Sequence, residues 1–156
     1  MAVKFIADVH LGKLAKALRL LGFDTLYQNS FNADELKSIA LKEERTVLSR
    51  SAAFSKNENI QSLVIKSEKP AEQLKQVVSQ LHLANNLYPF SRCLVCTGQL
   101  DAVAKQKVSD AIPENTSRCF NEFWQCSSCR RVYWKGSHYE RMRLLLEEIE
   151  RDTCQG

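Results

Sequence analysis

Two pairs of closely spaced cysteines in the second half of the chain constrain its fold more than any other feature. The first pair is Cys93 and Cys96, and the second is Cys126 and Cys129. Two such Cys-x-x-Cys hooks supply four soft thiolates, the donor set of a tetrahedral zinc ion. Two disulfides or unrelated thiols are the alternatives, and the pairing of the hooks favours zinc. Four cysteine ligands leave no open coordination position, so the site is predicted to be structural.

The segments around the second hook have the pattern of a zinc ribbon. Residues 122–125 and 132–134 flank the hook and are predicted to form the two arms of a hairpin. Gly98 follows the first hook, at a position where a tight turn often needs a positive φ. The aromatic residues of the hairpin are interpreted either as its core or as a stacking platform for bases; they are Trp124, Tyr133 and Trp134.

The first half of the chain alternates short apolar segments with amphipathic ones. Strands are predicted at residues 3–7, 23–27, 46–49 and 62–66, and the segments between and after them have helical spacing. Three signals set helix ends: Gly22 as a stop, Asn32 with Glu35 as a capping box, and Pro70 as a start. This rhythm predicts an α/β fold with a parallel sheet flanked by helices. The division is residues 1–88 for this domain and 89–156 for the ribbon and a C-terminal amphipathic helix at 139–151.

Composition narrows the class of protein without naming a function. The chain has 156 residues, of which 44% are hydrophobic and 26% charged, as in soluble globular proteins. No apolar run approaches the ~20 residues of a membrane span, and no signal peptide pattern is present. Six cysteines without an export signal indicate a reducing compartment, and a cytoplasmic location is expected. The net charge of +4 is compatible with a nucleic-acid partner but does not require one.

Acidic residues fall where the predicted strands end. Asp8 ends the first strand, and Asp34 lies in the first turn of the helix that follows the second strand. Both positions, together with Ser51 after the third strand, are expected at the carboxyl edge of the sheet, where ligands of such folds gather. Two carboxylates there suit Mg²⁺ or Mn²⁺. Asp34 has a simpler explanation as well, because an acid in the first turn stabilises the helix dipole.

Basic residues are concentrated in two segments on this nearly balanced chain. One segment is the first helix, and the other runs from residue 130 to residue 143. The first-helix cations are predicted to lie away from the leucine stripe, either as a solvated face or as a phosphate-binding one. The residues predicted to bind phosphate groups are Lys13, Lys16, Arg19, Arg50, Arg130, Arg131 and Lys135.

These motifs together resemble a known family. Residues 8–25 resemble the opening signature of the Mut-seven C-terminal ribonuclease family, a branch of the PIN-like nucleases, and residues 91–100 and 126–138 are similar to its zinc ribbon. The resemblance implies a PIN-like domain, an attached ribbon, and metal-dependent RNA cleavage by acids at the strand ends. Asp8 and Asp34 match the family's acids.

One position departs from the family pattern. The family usually has Thr-Arg-Asp after the third strand, whereas this chain has Ser49, Arg50 and Ser51. Replacing one acid by a hydroxyl predicts weaker binding of a divalent ion, with Ser51 as a neutral ligand. Two hypotheses therefore stand beside the metal-dependent ribonuclease: a catalytically silent RNA-binding module, and a protein-interaction adaptor that uses the ribbon and the C-terminal helix.

Overall fold

A four-stranded parallel sheet forms the centre of the first half. The computed structural model describes residues 3–137, 139–141, 143, 144, 147, 148 and 151. The strands are β1 (Lys4–Ala7), β2 (Asp24–Leu26), β3 (Thr46–Ser49) and β4 (Ser62–Val64), in the spatial order β2-β1-β3-β4. All pairings are parallel. The chain leaves β1 towards β2 and returns to β3 on its other side, so the topological switch point lies between β1 and β3.

Helices cover both faces of this sheet, and the first helix ends and the next two begin at the residues that the sequence signals predict. They are α1 (Gly12–Leu20), α2 (Ala33–Glu43) and α3 (Pro70–Gln80), with 3₁₀ turns at Val9–Leu11 and Ala52–Lys56. The capping box of Asn32 and Glu35 is formed at the start of α2. Gly22 follows α1 with a φ of 100°, a left-handed conformation that glycine adopts without strain.

Alternation along the strands divides the apolar side chains into two cores. Phe5 points towards α1 and α3, where the larger core includes Leu14, Leu18 and Leu74. Its neighbour Ile6 points to the opposite face and packs with Leu36 and Ala40 of α2 and with Phe54. The predicted α/β architecture, a parallel sheet between layers of helices, is confirmed.

The second half contains a three-stranded antiparallel sheet with the cysteines at one end. Its strands are β5 (Leu100–Val103), β6 (Phe123–Cys126) and β7 (Val132–Tyr133), in that order. The hairpin of β6 and β7 is the predicted one. The sequence did not predict β5 or the short helices α4 (Lys105–Val108) and α5 (Glu114–Cys119), whose segment packs a small core of Val108, Ile112 and Phe123. Residues 93–133 are called the ribbon below.

Part of the predicted C-terminal helix is described. Residues 139–141, 143, 144, 147, 148 and 151 are helical, and the ammonium of Lys75 on α3 lies 2.8 Å from a carboxylate oxygen of Glu148. The apolar stripe predicted for this helix, Met142, Leu145, Leu146 and Ile149, lies outside the described residues. Within the described part of the chain, no helix has the length and apolar character needed to cross a membrane.

Candidate active site and metal centre

Asp8 lies at the switch point, where its carboxylate is held by hydrogen bonds from two directions. Its backbone N–H donates to the carbonyl of Leu48 on β3 at 2.9 Å. One carboxylate oxygen accepts from the hydroxyl of Ser49 at 2.9 Å, and the other accepts from the N–H of His10 at 3.1 Å. The carboxylate therefore has a fixed orientation in the crevice where doubly wound sheets bind their ligands.

Ser49 links Asp8 to the segment in which the family acid is replaced. The Ser49 hydroxyl donates to Asp8 and accepts from the backbone N–H of Ser51 at 3.0 Å. Ser51 caps the 3₁₀ turn Ala52–Lys56, because its hydroxyl accepts from the N–H of Ala53 at 3.2 Å. The sequence reasoning assigned no role to Ser49; a lone hydroxyl at the end of a buried strand was the available signal.

The topology places Asp34 at the carboxyl edge of the sheet, the edge at which Asp8 lies. It is exposed in the first turn of α2, the helix that follows β2. Among the described residues, only the four ribbon cysteines form a group of three or more potential metal ligands whose donor atoms lie within 4.8 Å of one another. Asp8 and Asp34 are therefore not part of such a compact cluster.

One side chain that the sequence reasoning passed over covers this edge. The hydroxyl of Tyr27, just after β2, donates to the carbonyl of Val9 at 2.9 Å. A β-carbon at Gly12 would lie 3.0 Å from that same hydroxyl, so the ring covers the start of α1 closely. Tyr27 therefore fixes the 3₁₀ turn that follows Asp8.

The four cysteine sulfurs have the arrangement that a metal ion requires. Cys93 and Cys129 approach at 3.6 Å between sulfurs, and Cys96 and Cys126 at 3.4 Å. A disulfide needs about 2.0 Å, whereas a tetrahedron with ~2.3 Å zinc–sulfur bonds places its sulfurs about 3.8 Å apart. The four cysteines are thus close enough to bind one metal ion, and among the described residues none of them is in a disulfide.

Backbone donors surround the sulfurs, but the four thiols differ: burial raises the pKa of Cys96 and Cys129, whereas hydrogen bonds overcome burial and lower the pKa of Cys93. The N–H groups of Val95 and Gly98 donate to sulfurs of the first hook at 3.4 Å. Burial raises the pKa of the Cys126 thiol, but the N–H groups of Cys129 and Ser128 outweigh it and lower that pKa to about 7. Metal ligation needs the thiolate form, so the donors around Cys126 favour the form of that side chain that binds an ion.

Gly98 is needed for space and not for the positive φ that its sequence position predicted. The left-handed residue of the first hook is Thr97, with a φ of 62°, and Arg130 has the equivalent conformation after the second hook, with a φ of 68°. A β-carbon on Gly98 would lie 2.9 Å from the sulfur of Cys126 and 3.2 Å from that of Cys96. The expectation of a positive φ at Gly98 is therefore wrong.

The sequence predicted that Arg19 lies with Lys13 and Lys16 on the face away from the leucine stripe. That prediction is wrong for Arg19. It is 4% exposed, and its guanidinium donates to the carbonyl of Thr25 at 2.8 Å and to that of Leu94, in the first hook, at 2.7 Å. Burial lowers the pKa of Arg19, and the neighbouring sulfurs of Cys93 and Cys96 oppose that change. The side chain connects α1 and β2 to the hook, and a phosphate cannot reach it.

Four of the predicted phosphate-binding cations meet in one groove between α1 and the ribbon. They are Lys13, Lys16, Arg130 and Arg131, and Arg141 joins them. We call this depression of about 760 Å³ the helix–ribbon groove. Lys135 and Arg50 lie elsewhere: Lys135 stacks over the ring of Trp124 at 5.5 Å, and Arg50 lies 3.7 Å from Glu68.

A second cleft, of about 830 Å³, lies at the amino edge of the sheet. Lys4, Asp24 and Arg45 line it, and the guanidinium of Arg45 is paired with Asp24 at 3.0 Å. None of the residues predicted for catalysis, RNA binding or metal binding lines this cleft. The residues proposed for catalysis, Asp8, Asp34 and Ser51, belong to the opposite edge.

The fold and the sites define an α/β protein with an acid at the switch point of its sheet and, in an attached ribbon, four cysteines close enough to bind a metal ion. The chain belongs to the Mut7-C RNAse domain family, whose model matches residues 3–146. The suspected resemblance is confirmed over nearly the whole chain. No curated protein and no solved structure matches it. Family membership indicates a ribonuclease-like function and implies RNA as the substrate.

Proposed function

We propose that the chain is a metal-dependent ribonuclease that hydrolyses RNA phosphodiester bonds at the carboxyl edge of its sheet. The observation that carries the proposal is the Asp8 carboxylate, which Ser49 and the N–H of His10 fix at the switch point. Asp34 and Ser51 are the further oxygen donors proposed for this site. Such a hard-oxygen set suits Mg²⁺ or Mn²⁺, which when bound activates water and neutralises charge on the leaving group.

The residues of the chain have separate proposed roles in this reaction. Asp8 carries the negative charge that holds the ion, and Ser49 keeps that carboxylate in one orientation. Ser51 contributes only a hydroxyl dipole where the family has an acid, so binding of the ion is weaker. Lys13 and Lys16 attract the RNA backbone towards the edge, because cations favour polyanion binding.

We propose that the ion of the cysteine centre is zinc and that its role is structural. Four thiolates fill a tetrahedral coordination sphere and leave no position for water. Thiols that must stay reduced to bind metal support a cytoplasmic location for the protein. Metal analysis of the purified chain is expected to give one zinc per chain, and Cys126→Ser is expected to lose it. A chain that folds with no bound metal contradicts this assignment.

The proposal is tested by RNA cleavage with three proteins and with Mg²⁺ or Mn²⁺ added or omitted. Asp8→Asn keeps the size and the hydrogen-bond acceptor but removes the charge. Cleavage is expected to fall about a hundredfold or more, because loss of even an outer-shell partner of a metal costs about 10–100-fold. Asp110→Asn, an exposed acid in the second half, is the matched control and should cleave like the natural chain. Equal activity of Asp8→Asn and the natural chain contradicts the proposal.

A silent RNA-binding module is the second candidate, and the neutral side chain at Ser51 favours it. Ser51→Asp separates the two because aspartate caps a helix start as well as serine does, so the turn at Ala52–Lys56 is kept. If the natural chain is silent and the substituted chain cleaves, the site is intact apart from this position. Cleavage by the natural chain excludes the silent module.

A further inference from the structure

The helix–ribbon groove presents cations without any opposing acid. Its five cations are Lys13, Lys16, Arg130, Arg131 and Arg141. None of them forms an ion pair with a described carboxylate, and among the described residues no acid lines the groove. Unpaired cations that converge on one depression attract a polyanion, since each neutralised phosphate releases a counterion.

The floor of the groove is apolar and aromatic. Leu20, Val95, Tyr133 and Trp134 line it, and Val95 is 51% exposed. The ring of Tyr133 is held in place by its hydroxyl, which lies 3.0 Å from the sulfur of Cys93 and accepts from the N–H of Leu94 at 3.2 Å. Such a surface suits the faces of nucleobases, which a single strand exposes and a duplex hides inside its stack.

The groove leads to the edge that carries Asp8. It follows one face of α1, on which Lys13 lies in the first turn and Leu20 in the last. The 3₁₀ turn Val9–Leu11 connects that first turn directly to Asp8. A strand that follows α1 towards its start therefore arrives at the carboxylate.

We infer that the helix–ribbon groove binds single-stranded RNA, with phosphates on the five cations and bases against the floor, and directs the strand to Asp8. The inference rests on the proposed function for its choice of RNA as the polyanion. It adds that the substrate is single-stranded RNA and not duplex RNA, and it adds the path that the strand takes across the two halves of the chain.

Binding is measured by fluorescence anisotropy of a labelled single-stranded RNA on the Asp8→Asn background, without added Mg²⁺ or Mn²⁺, so that cleavage does not interfere. Lys13→Gln with Lys16→Gln is expected to weaken binding on the order of tenfold at moderate salt and to reduce the salt slope by about 1.4. Lys42→Gln with Lys107→Gln removes the same charge at exposed positions outside the groove and should bind like the parent. Equal loss in both double variants overturns the inference.

A substitution in the floor tests the apolar contacts. Val95→Glu places a carboxylate among the cations and is expected to weaken binding more than tenfold. Leu41→Glu, at a residue that is 50% exposed on α2, adds the same charge outside the groove and should have little effect. Zinc content of each variant, measured alongside, shows that the hook is intact. A variant at Val95 that retains zinc and full RNA affinity overturns the inference.

Two competitors identify the occupant. A duplex of the same sequence is expected to bind at least tenfold more weakly than the single strand, and polyglutamate is expected to compete poorly. Equal affinity for the duplex, or equal competition by polyglutamate, overturns the inference in favour of a duplex or an acidic protein segment. If RNA binding depends on the groove but the natural chain does not cleave RNA, only the proposed function is contradicted. If the natural chain cleaves RNA but binding does not depend on the groove, only this inference is contradicted.

Discussion

At the scale of single residues, Arg19 shows how one buried side chain serves both halves of the chain. Its guanidinium reaches carbonyl groups on β2 and in the first cysteine hook. Negative charge on the sulfurs of Cys93 and Cys96 favours the charged guanidinium and opposes the effect of burial on its pKa. Arg19 is therefore a structural cation, in contrast to the exposed Lys13 and Lys16 of the same helix.

Arg19→Met is expected to destabilise the folded chain by about 3 kcal/mol, because buried carbonyls lose charged hydrogen-bond donors. Lys16→Met changes the same charge at an exposed position of α1, and we expect less than about 0.5 kcal/mol from it. Urea unfolding followed by circular dichroism measures both. Equal stability of the two variants shows that Arg19 is not a connector.

Ser49 gives a second residue-scale prediction, which concerns positioning and not contact with RNA. Ser49→Ala removes the donor to Asp8 and leaves the Ser51 N–H without its acceptor. We expect a loss of about 1–3 kcal/mol in stability and a cleavage rate that falls more than binding of RNA does. Ser49→Thr keeps the hydroxyl and should restore the rate, which a purely structural role at this buried position does not predict.

At the scale of elements, the first hook is shaped by the space that Gly98 leaves beside two sulfurs. Gly98→Ala places a methyl group 2.9 Å from the sulfur of Cys126, a separation that forces one of the ligands to move. We expect at least tenfold weaker zinc binding, measured by competition with a chromophoric chelator. Val95→Ala, at an exposed position of the same hook, is the control and should retain the affinity of the natural chain.

At the scale of the whole molecule, the hook connects the ribbon to the sheet. The N–H of Thr25 on β2 donates to the hydroxyl of Thr97 at 2.9 Å, and Arg19 binds the carbonyl of Leu94. The proposed boundary between residues 88 and 89 is therefore crossed by buried hydrogen bonds. The ribbon is attached to the α/β domain by specific contacts near its metal centre.

Metal removal is therefore expected to reach beyond the ribbon. An ion present at a thousand times its dissociation constant stabilises the fold by about 4 kcal/mol, and chelation removes that contribution. We expect faster amide exchange after chelation in β2 and the end of α1 as well as in β6. The strand β4, on the far side of the sheet, serves as the internal control. Unchanged exchange in β2 contradicts this coupling.

The local parts of the fold were predictable because their signals are local. The spacing of apolar residues predicted the strands and helices of the first half, and the capping box of Asn32 and Glu35 formed as expected. The spacing of the four cysteines in the sequence was enough to predict their cluster. The strand β5 and the helices α4 and α5 were missed, because short elements in a metal-supported domain need little apolar periodicity.

The sequence by itself determined the α/β alternation, the four-cysteine cluster and the family, because apolar periodicity and cysteine spacing act within a few residues. The tertiary structure decided which cations reach solvent. At about 100° per residue, Arg19 is turned by roughly 120° from Lys13, whereas Leu20 lies within about 20° of it. The packing of the first hook on α1 buries Arg19 and leaves Lys13 and Leu20 in the groove. The sequence could not show this, because that contact joins residues that are distant in the chain.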